Sequence, residues 1–180
     1  LGLKERPKHI APLNLMVPEM NQSSWWGAID NGFLPEKPPF LMFCKSITDP
    51  SVAPQGRYDL DIVVPAPSIH KDGDWDVVKD KERDKVFSVL EEIIPGVSGQ
   101  IDFEWLFTPK DFEAYSGIEG GGWLPFEPSV DQLMKFPTME MPIQNLYCVG
   151  ASVKGGAGIN SAANTGKLCA KKIINHLKEK

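Results

Sequence analysis

Residues 145–174 read NLYCVGASVKGGAGINSAANTGKLCAKKII, and the fold of the chain turns on how this stretch is parsed. Residues 145–149 form an apolar run with the β-rich composition of a buried strand, stopped by Gly150. Gly150, Gly155, Gly156 and Gly158 then fall within nine residues. Ile159, Ala163, Gly166, Ala170, Ile173 and Leu177 recur at helical spacing, so a helix is expected to open out of the glycine turn. Strand, glycine turn and helix make a cradle for an anion or a cofactor, because the first-turn amides of a helix lack internal partners and point outward.

Composition narrows what such a cradle can serve. The chain has 180 residues, 42% hydrophobic and 24% charged, as an ordinary globular protein does. Its net charge of −5 argues against nucleic acid, which demands a concentrated basic footprint. Cys44, Cys148 and Cys169 match no metal-ligand spacing and read as reduced thiols of an intracellular, cytoplasmic chain. With three histidines and no local carboxylate cluster, no metal site is expected. No apolar run reaches the roughly 20 residues that span a bilayer. The opening Leu1-Gly2-Leu3 carries no initiator methionine, which is read as a processed terminus or as a piece of a longer protein.

In chain order, Leu13, Leu15 and Val17 suggest a first strand with these residues on its buried face. Residues 20–38 are read as a punctuated loop in which Trp25-Trp26 is either a binding surface or, as such pairs more often are, an anchor on a core. Residues 40–46 and 58–64 read as two further strands, with Asp59 and Asp61 on a solvated face. Asp74 or Asp76 is placed to cap a helix over residues 77–94, whose stripe is Val86, Val89, Leu90, Ile93 and Ile94; Pro95-Gly96 ends it, and the run KDKERDK is its exposed face. Ile101, Phe103, Trp105 and Phe107 alternate as a strand that buries an aromatic face. Residues 108–115 suit one helical turn, and residues 116–137 are irregular. The sum is an α+β layer: an antiparallel sheet with a covering helix.

The two nucleotide readings of the glycine turn fail on context. Gly156-x-Gly158-x-x-Ser161 starts six residues beyond Gly150 and has no second strand with an acidic end. Gly166-Lys167 lacks the earlier P-loop glycine, since Ser161 stands there. What the turn does resemble is the C-terminal flavin-contact motif of the carotenoid desaturases, the bacterial-type phytoene desaturase family. Gly150, Ala151, Gly156, Ala157, Gly158 and Ile159 match that motif without a gap. Ser152, Val153, Lys154, Gly155 and Asn160 depart from it. Residues 33–69, with their TDPSVAPQG, and residues 104–113 are similar to upstream family segments.

The resemblance implies an FAD-dependent oxidoreductase acting on a lipophilic polyene or isoprenoid, by hydride transfer to or from the flavin or by isomerisation. It implies a fold like the amine oxidases, in which residues 1–137 are a substrate-domain portion. Residues 138–180 are then the last strand, turn and helix of an incomplete Rossmann-like FAD domain. Cofactor contacts fall on Gly150, Ala151, Gly156, Ala157, Gly158, Ile159 and Asn160, with catalytic residues unassigned. Ala162, Ala163 and Gly166 would let the helix lie tightly on its sheet, and Lys154 is either a phosphate or ribityl contact or a solvated loop lysine. The chain by itself is expected to be inactive and not to retain FAD, and a lipophilic substrate allows peripheral membrane contact of the parent. Trp123 and Phe126 are either walls of an apolar channel or core. The alternative is a non-catalytic domain or assembly module that binds no cofactor.

Overall fold

The computed structural model describes residues 1–18, 22–122, 130–133 and 135–178. Its strands are β1 (Gly2–Leu3), β2 (Leu13–Met16), β3 (Phe40–Phe43), β4 (Tyr58–Asp59), β5 (Asp61–Val63) and β6 (Ile101–Phe103). Its α-helices are α1 (Gln22–Asp30), α2 (Trp75–Ile93), α3 (Val97–Gln100), α4 (Pro109–Ser116), α5 (Val130–Leu133) and α6 (Ile159–Lys178). The chain divides into two compact units, Leu1–Gly121 and Gly122–Lys180.

The first unit is α+β, with two antiparallel three-stranded sheets in the orders β4-β1-β6 and β2-β3-β5. The single strand expected over residues 58–64 is shared between them: Tyr58 pairs with Leu3 in one sheet and Ile62 with Met42 in the other. Leu60, fully buried, marks the crossing. Helix α2 covers this core. Val78, Val86, Val89 and Leu90 pack in one cluster with Leu3, Phe40, Met42 and Leu60. Asp74 caps the helix by accepting from the Asp76 amide (2.9 Å), and the Ile94 amide closes it on the Leu90 carbonyl.

Four expectations are corrected here. The first concerns β2, where Leu13, Leu15 and Val17 are exposed rather than buried. Leu13 and Leu15 pair with Phe43 and Leu41, so the register turns Asn14 and Met16 to the side of buried Met42 and Phe40. The second concerns residues 22–30, which form a helix and not a loop; there buried Trp25 stacks on exposed Trp26 at 5.3 Å. Third, the strand at residue 101 stops at Phe103, and Trp105 and Phe107 beyond it are exposed rather than buried. Fourth, the charged run of α2 is not wholly solvated, because Glu82 is buried.

Glu82 sits between two cations or potential cations. Lys85 Nζ reaches its Oε2 at 3.0 Å, and His70 Nε2 lies 3.4 Å from its Oε1. The Asp72 amide donates to His70 Nδ1 (3.1 Å), which leaves the proton of a neutral ring on Nε2, facing the carboxylate. Edge contacts from Phe33 and Trp75 hold the imidazole.

Asp59 is likewise a structural group. It accepts from the Ser46 amide (2.7 Å) and the Lys45 amide (3.2 Å) at the start of the single turn Lys45–Ile47. Burial works to raise its pKa, yet the hydrogen bonds from Ser46 and Lys45 prevail and hold it below the usual carboxylate value. Asp61 pairs with Lys45 Nζ at 2.6 Å.

Candidate glycine-loop site

The second unit places the glycine turn between a short hairpin and α6. The apolar run 145–149 is not a multi-residue strand. One bridge joins Glu140 to Tyr147, flanked by hydrogen bonds from the Met141 amide to Leu146 and from the Cys148 amide to Met139. Asn145, at φ +65°, turns the hairpin just before the arm begins, so few residues remain to pair. Leu146 and Val149 are exposed. Lys172 pairs with Glu140, and the Tyr147 hydroxyl meets His176 Nδ1 at 2.9 Å.

From Gly150 the chain winds into a closed loop. The Val153 amide faces the Gly150 carbonyl (3.4 Å), and the Gly156 amide donates to the Val153 carbonyl (2.9 Å). Val153 is buried at 2% exposure and plugs the turn. Gly156 passes so close to Gly150 that a Cβ on it would lie 1.9 Å from the Gly150 carbonyl oxygen. No residue with a side chain fits there without moving the backbone. The Gly150 amide in turn donates to Thr165 Oγ1 (2.9 Å), whose hydroxyl donates to the Ala162 carbonyl (2.7 Å). Loop and helix are therefore clamped by one buried threonine.

Gly158, at φ +88°, is the last residue before α6, a left-handed conformation that side chains rarely adopt. The first helical hydrogen bond runs from the Ala162 amide to the Gly158 carbonyl (2.8 Å). The amides of Ile159, Asn160 and Ser161 precede it and form the positive end of the helix dipole. Ile159 is 90% exposed, and the first turn of α6 holds no acidic residue. Such an end favours negative charge.

Of the sequence-derived candidates, Gly150 and Gly156 meet at the loop neck and Gly158, Ile159 and Asn160 form the helix start. Ala151 and Ala157 are exposed on the loop. Lys154 is exposed, its amide donating to the Pro137 carbonyl (2.8 Å). Ala163 is exposed, and a Cβ at Gly166 would meet nothing within 4 Å among the described residues. The buried face of α6 is instead Thr165 and Cys169. Trp123 and Phe126 lie outside the described residues. Thr165 and Val153, which shape the loop, carry no sequence signal that separates them from any helical threonine or loop valine.

For the flavin that the resemblance implies, the residues that would fit one edge of the ring are the first-turn amides at the dipole's positive end and the small or absent side chains at Ala157 and Gly158, and the first turn of α6 holds no acidic residue. The described residues include no group of three or more His, Cys, Asp or Glu that could hold a metal ion. No helix of the described residues is long and apolar enough to cross a membrane.

Comparison with characterised proteins defines the class. The chain is similar to the neurosporene-forming phytoene desaturase of Rhodobacter capsulatus, 36% identical over 134 residues, covering 71% of the chain and 25% of that protein. It is 28% identical over 181 residues to the zeta-carotene-forming phytoene desaturase of Myxococcus xanthus, covering 97% of the chain and 34% of the relative. A 4,4'-diapophytoene desaturase of Staphylococcus haemolyticus is 26% identical over 83% of the chain. The chain belongs with the carotenoid desaturases over most of its length. It spans roughly a quarter to a third of the length of these relatives. No family model matches.

Proposed function

We propose that this chain is the C-terminal part of an FAD-dependent, carotenoid desaturase-like oxidoreductase that acts on a lipophilic polyene or isoprenoid. The observation that carries the reading is the coincidence of desaturase relatives with a loop whose geometry presents a helix N-terminus behind a pinned glycine neck. In this reading residues 1–137 belong to the substrate domain and residues 138–180 complete a Rossmann-like FAD domain.

The flavin, when bound, supplies hydride acceptance or donation, or assists isomerisation. The chain's own residues position and polarise. The amides of Gly158, Ile159 and Asn160 would hold the flavin's electron-rich edge, and the α6 dipole would favour negative charge there. Gly150 and Ala151 would line the ribityl chain, while Gly156 keeps the loop neck narrow enough for helix and loop to act as one surface. Lys154, exposed on the loop, would either meet a phosphate or ribityl oxygen or stay a solvated loop lysine. Oriented backbone dipoles need no solvent reorganisation as charge develops, which is why no histidine–carboxylate pair is required.

The chain alone is expected to be inactive and to hold no FAD, since its contacts reach one edge of the cofactor. A second reading is favoured by the exposed stripe Ile159, Ala163, Ala170, Ile174 and Leu177 on α6: a module that completes another polypeptide and binds no cofactor itself. Absorbance decides between them. Full-length protein that is yellow, absorbing near about 450 nm, with this chain alone colourless under added FAD, supports the flavoenzyme reading. Full-length protein that stays colourless with FAD leaves the module.

A further inference from the structure

Helix α6 starts without a side-chain cap. Such a cap, at the residue before a helix, accepts one of the first-turn amides and so withdraws that donor from any ligand. Gly158 occupies that position, at φ +88°, and glycine has no side chain to give. It therefore takes none of the amides of Ile159, Asn160 and Ser161, but it also leaves the first turn without the order that a cap supplies.

Thr165 supplies that order from further along the helix. It is buried on the inner face of α6. Its hydroxyl donates to the Ala162 carbonyl (2.7 Å) and accepts from the Gly150 amide (2.9 Å). Ala162 is the residue whose amide makes the first helical hydrogen bond, to the Gly158 carbonyl (2.8 Å). One hydroxyl thus joins the start of the loop at Gly150 to the first turn of α6, and it uses none of the amides that precede Ala162. The role needs a group that donates and accepts at once, which serine and threonine hydroxyls do. Valine has nearly the same outline and does neither, so it would leave the Gly150 amide without its acceptor.

We propose that Thr165 is a positioning residue of the glycine-loop site: it replaces the missing cap, holds the first turn of α6 in register with Gly150, and so keeps the amides before Ala162 aligned to favour negative charge on the cofactor. The assignment rests on the flavin reading above. Reduction adds negative charge to a flavin, so the hydroxyl acts on the reduced state more than on the oxidised one.

Two measurements test it, with Thr165→Val and Thr165→Ser. In the 180-residue chain, amide hydrogen exchange at Gly150 should quicken about tenfold in Thr165→Val and stay within about twofold of wild type in Thr165→Ser. In full-length protein saturated with FAD, dithionite titration against a reference dye reads the midpoint potential of the bound flavin. Thr165→Val should hold oxidised FAD within about twofold of wild type and reduced FAD about tenfold more weakly, a midpoint about 30 mV more negative for two electrons. Thr165→Ser should match wild type. Unchanged exchange at Gly150 in Thr165→Val would overturn the proposal, as would a serine variant that behaves like the valine one. Loss of oxidised FAD binding in Thr165→Val would overturn it too, since the hydroxyl would then build the pocket rather than align its amides. Equal potentials in wild type and Thr165→Val, both holding flavin, would overturn this assignment and leave the flavin reading standing. Wild-type full-length protein that binds no FAD would overturn the flavin reading and this proposal with it.

Discussion

Gly156→Ala is the perturbation to which the loop is most sensitive. A Cβ at this position would stand 1.9 Å from the Gly150 carbonyl oxygen, and ordinary contact begins at 3.4 Å, so the two backbones must part by about 1.5 Å. That movement breaks the bond from the Gly156 amide to Val153 and pulls the Gly150 amide from Thr165, each 2.9 Å long. Two net hydrogen bonds at about 0.5–1.5 kcal/mol each, with part of the burial of Val153, come to about 2–4 kcal/mol. Gly155→Ala is the control: its Cβ would meet nothing within 4 Å, and only the left-handed backbone at φ +78° is penalised, by about 1–2 kcal/mol. Amide hydrogen exchange at Gly150 and Gly156 reads the difference. Protection should fall roughly 30- to 1000-fold in Gly156→Ala and about tenfold in Gly155→Ala. Equal protection in the two variants would refute the pinned neck.

Other consequences concern the first unit. Glu82→Ala removes the carboxylate that Lys85 and His70 face inside the core, and should cost about 3–5 kcal/mol in urea unfolding; a cost under about 1 kcal/mol would mean that the cluster is solvated in solution. Asp59, with its folded pKa held below the unfolded value, contributes stability that is fully present above about pH 4 and lost as pH falls through the lowered pKa. Asp59→Asn should therefore flatten the acid limb of the stability profile below about pH 4 and leave its shape unchanged at neutral pH. Thr108→Ala removes the capping box of α4 and should cost about 1 kcal/mol, with exchange at the Asp111 amide rising accordingly.

Period and punctuation made much of the first unit legible. The α2 stripe, its Asp74 cap and its Pro95-Gly96 stop are all local signals, and the structure follows them. Where the sequence misled, the deciding contact was distant. Which face of Leu13–Met16 is buried depends on pairing with Phe40–Phe43, and the aromatic alternation from Phe103 to Phe107 carries no mark of whether a second layer covers it. Glu82 lies within a charged run, and only the fold brings His70 to it. In the second unit the glycine positions announced a tight turn and a helix start. The clamp by Thr165, 15 residues beyond Gly150, and the plug by Val153 became visible only in three dimensions.

The central claim is that the α6 N-terminus behind the glycine loop holds one edge of a flavin in the full-length protein. Flavin content after purification tests it most directly, comparing wild type with Gly158→Val, whose β-branched side chain must adopt φ +88° at the helix start. At a strain of about 1–3 kcal/mol, the variant should bind FAD roughly 5- to 150-fold more weakly and emerge largely colourless, with the fold of the first unit intact. Equal FAD content and equal affinity in the two proteins would contradict the account.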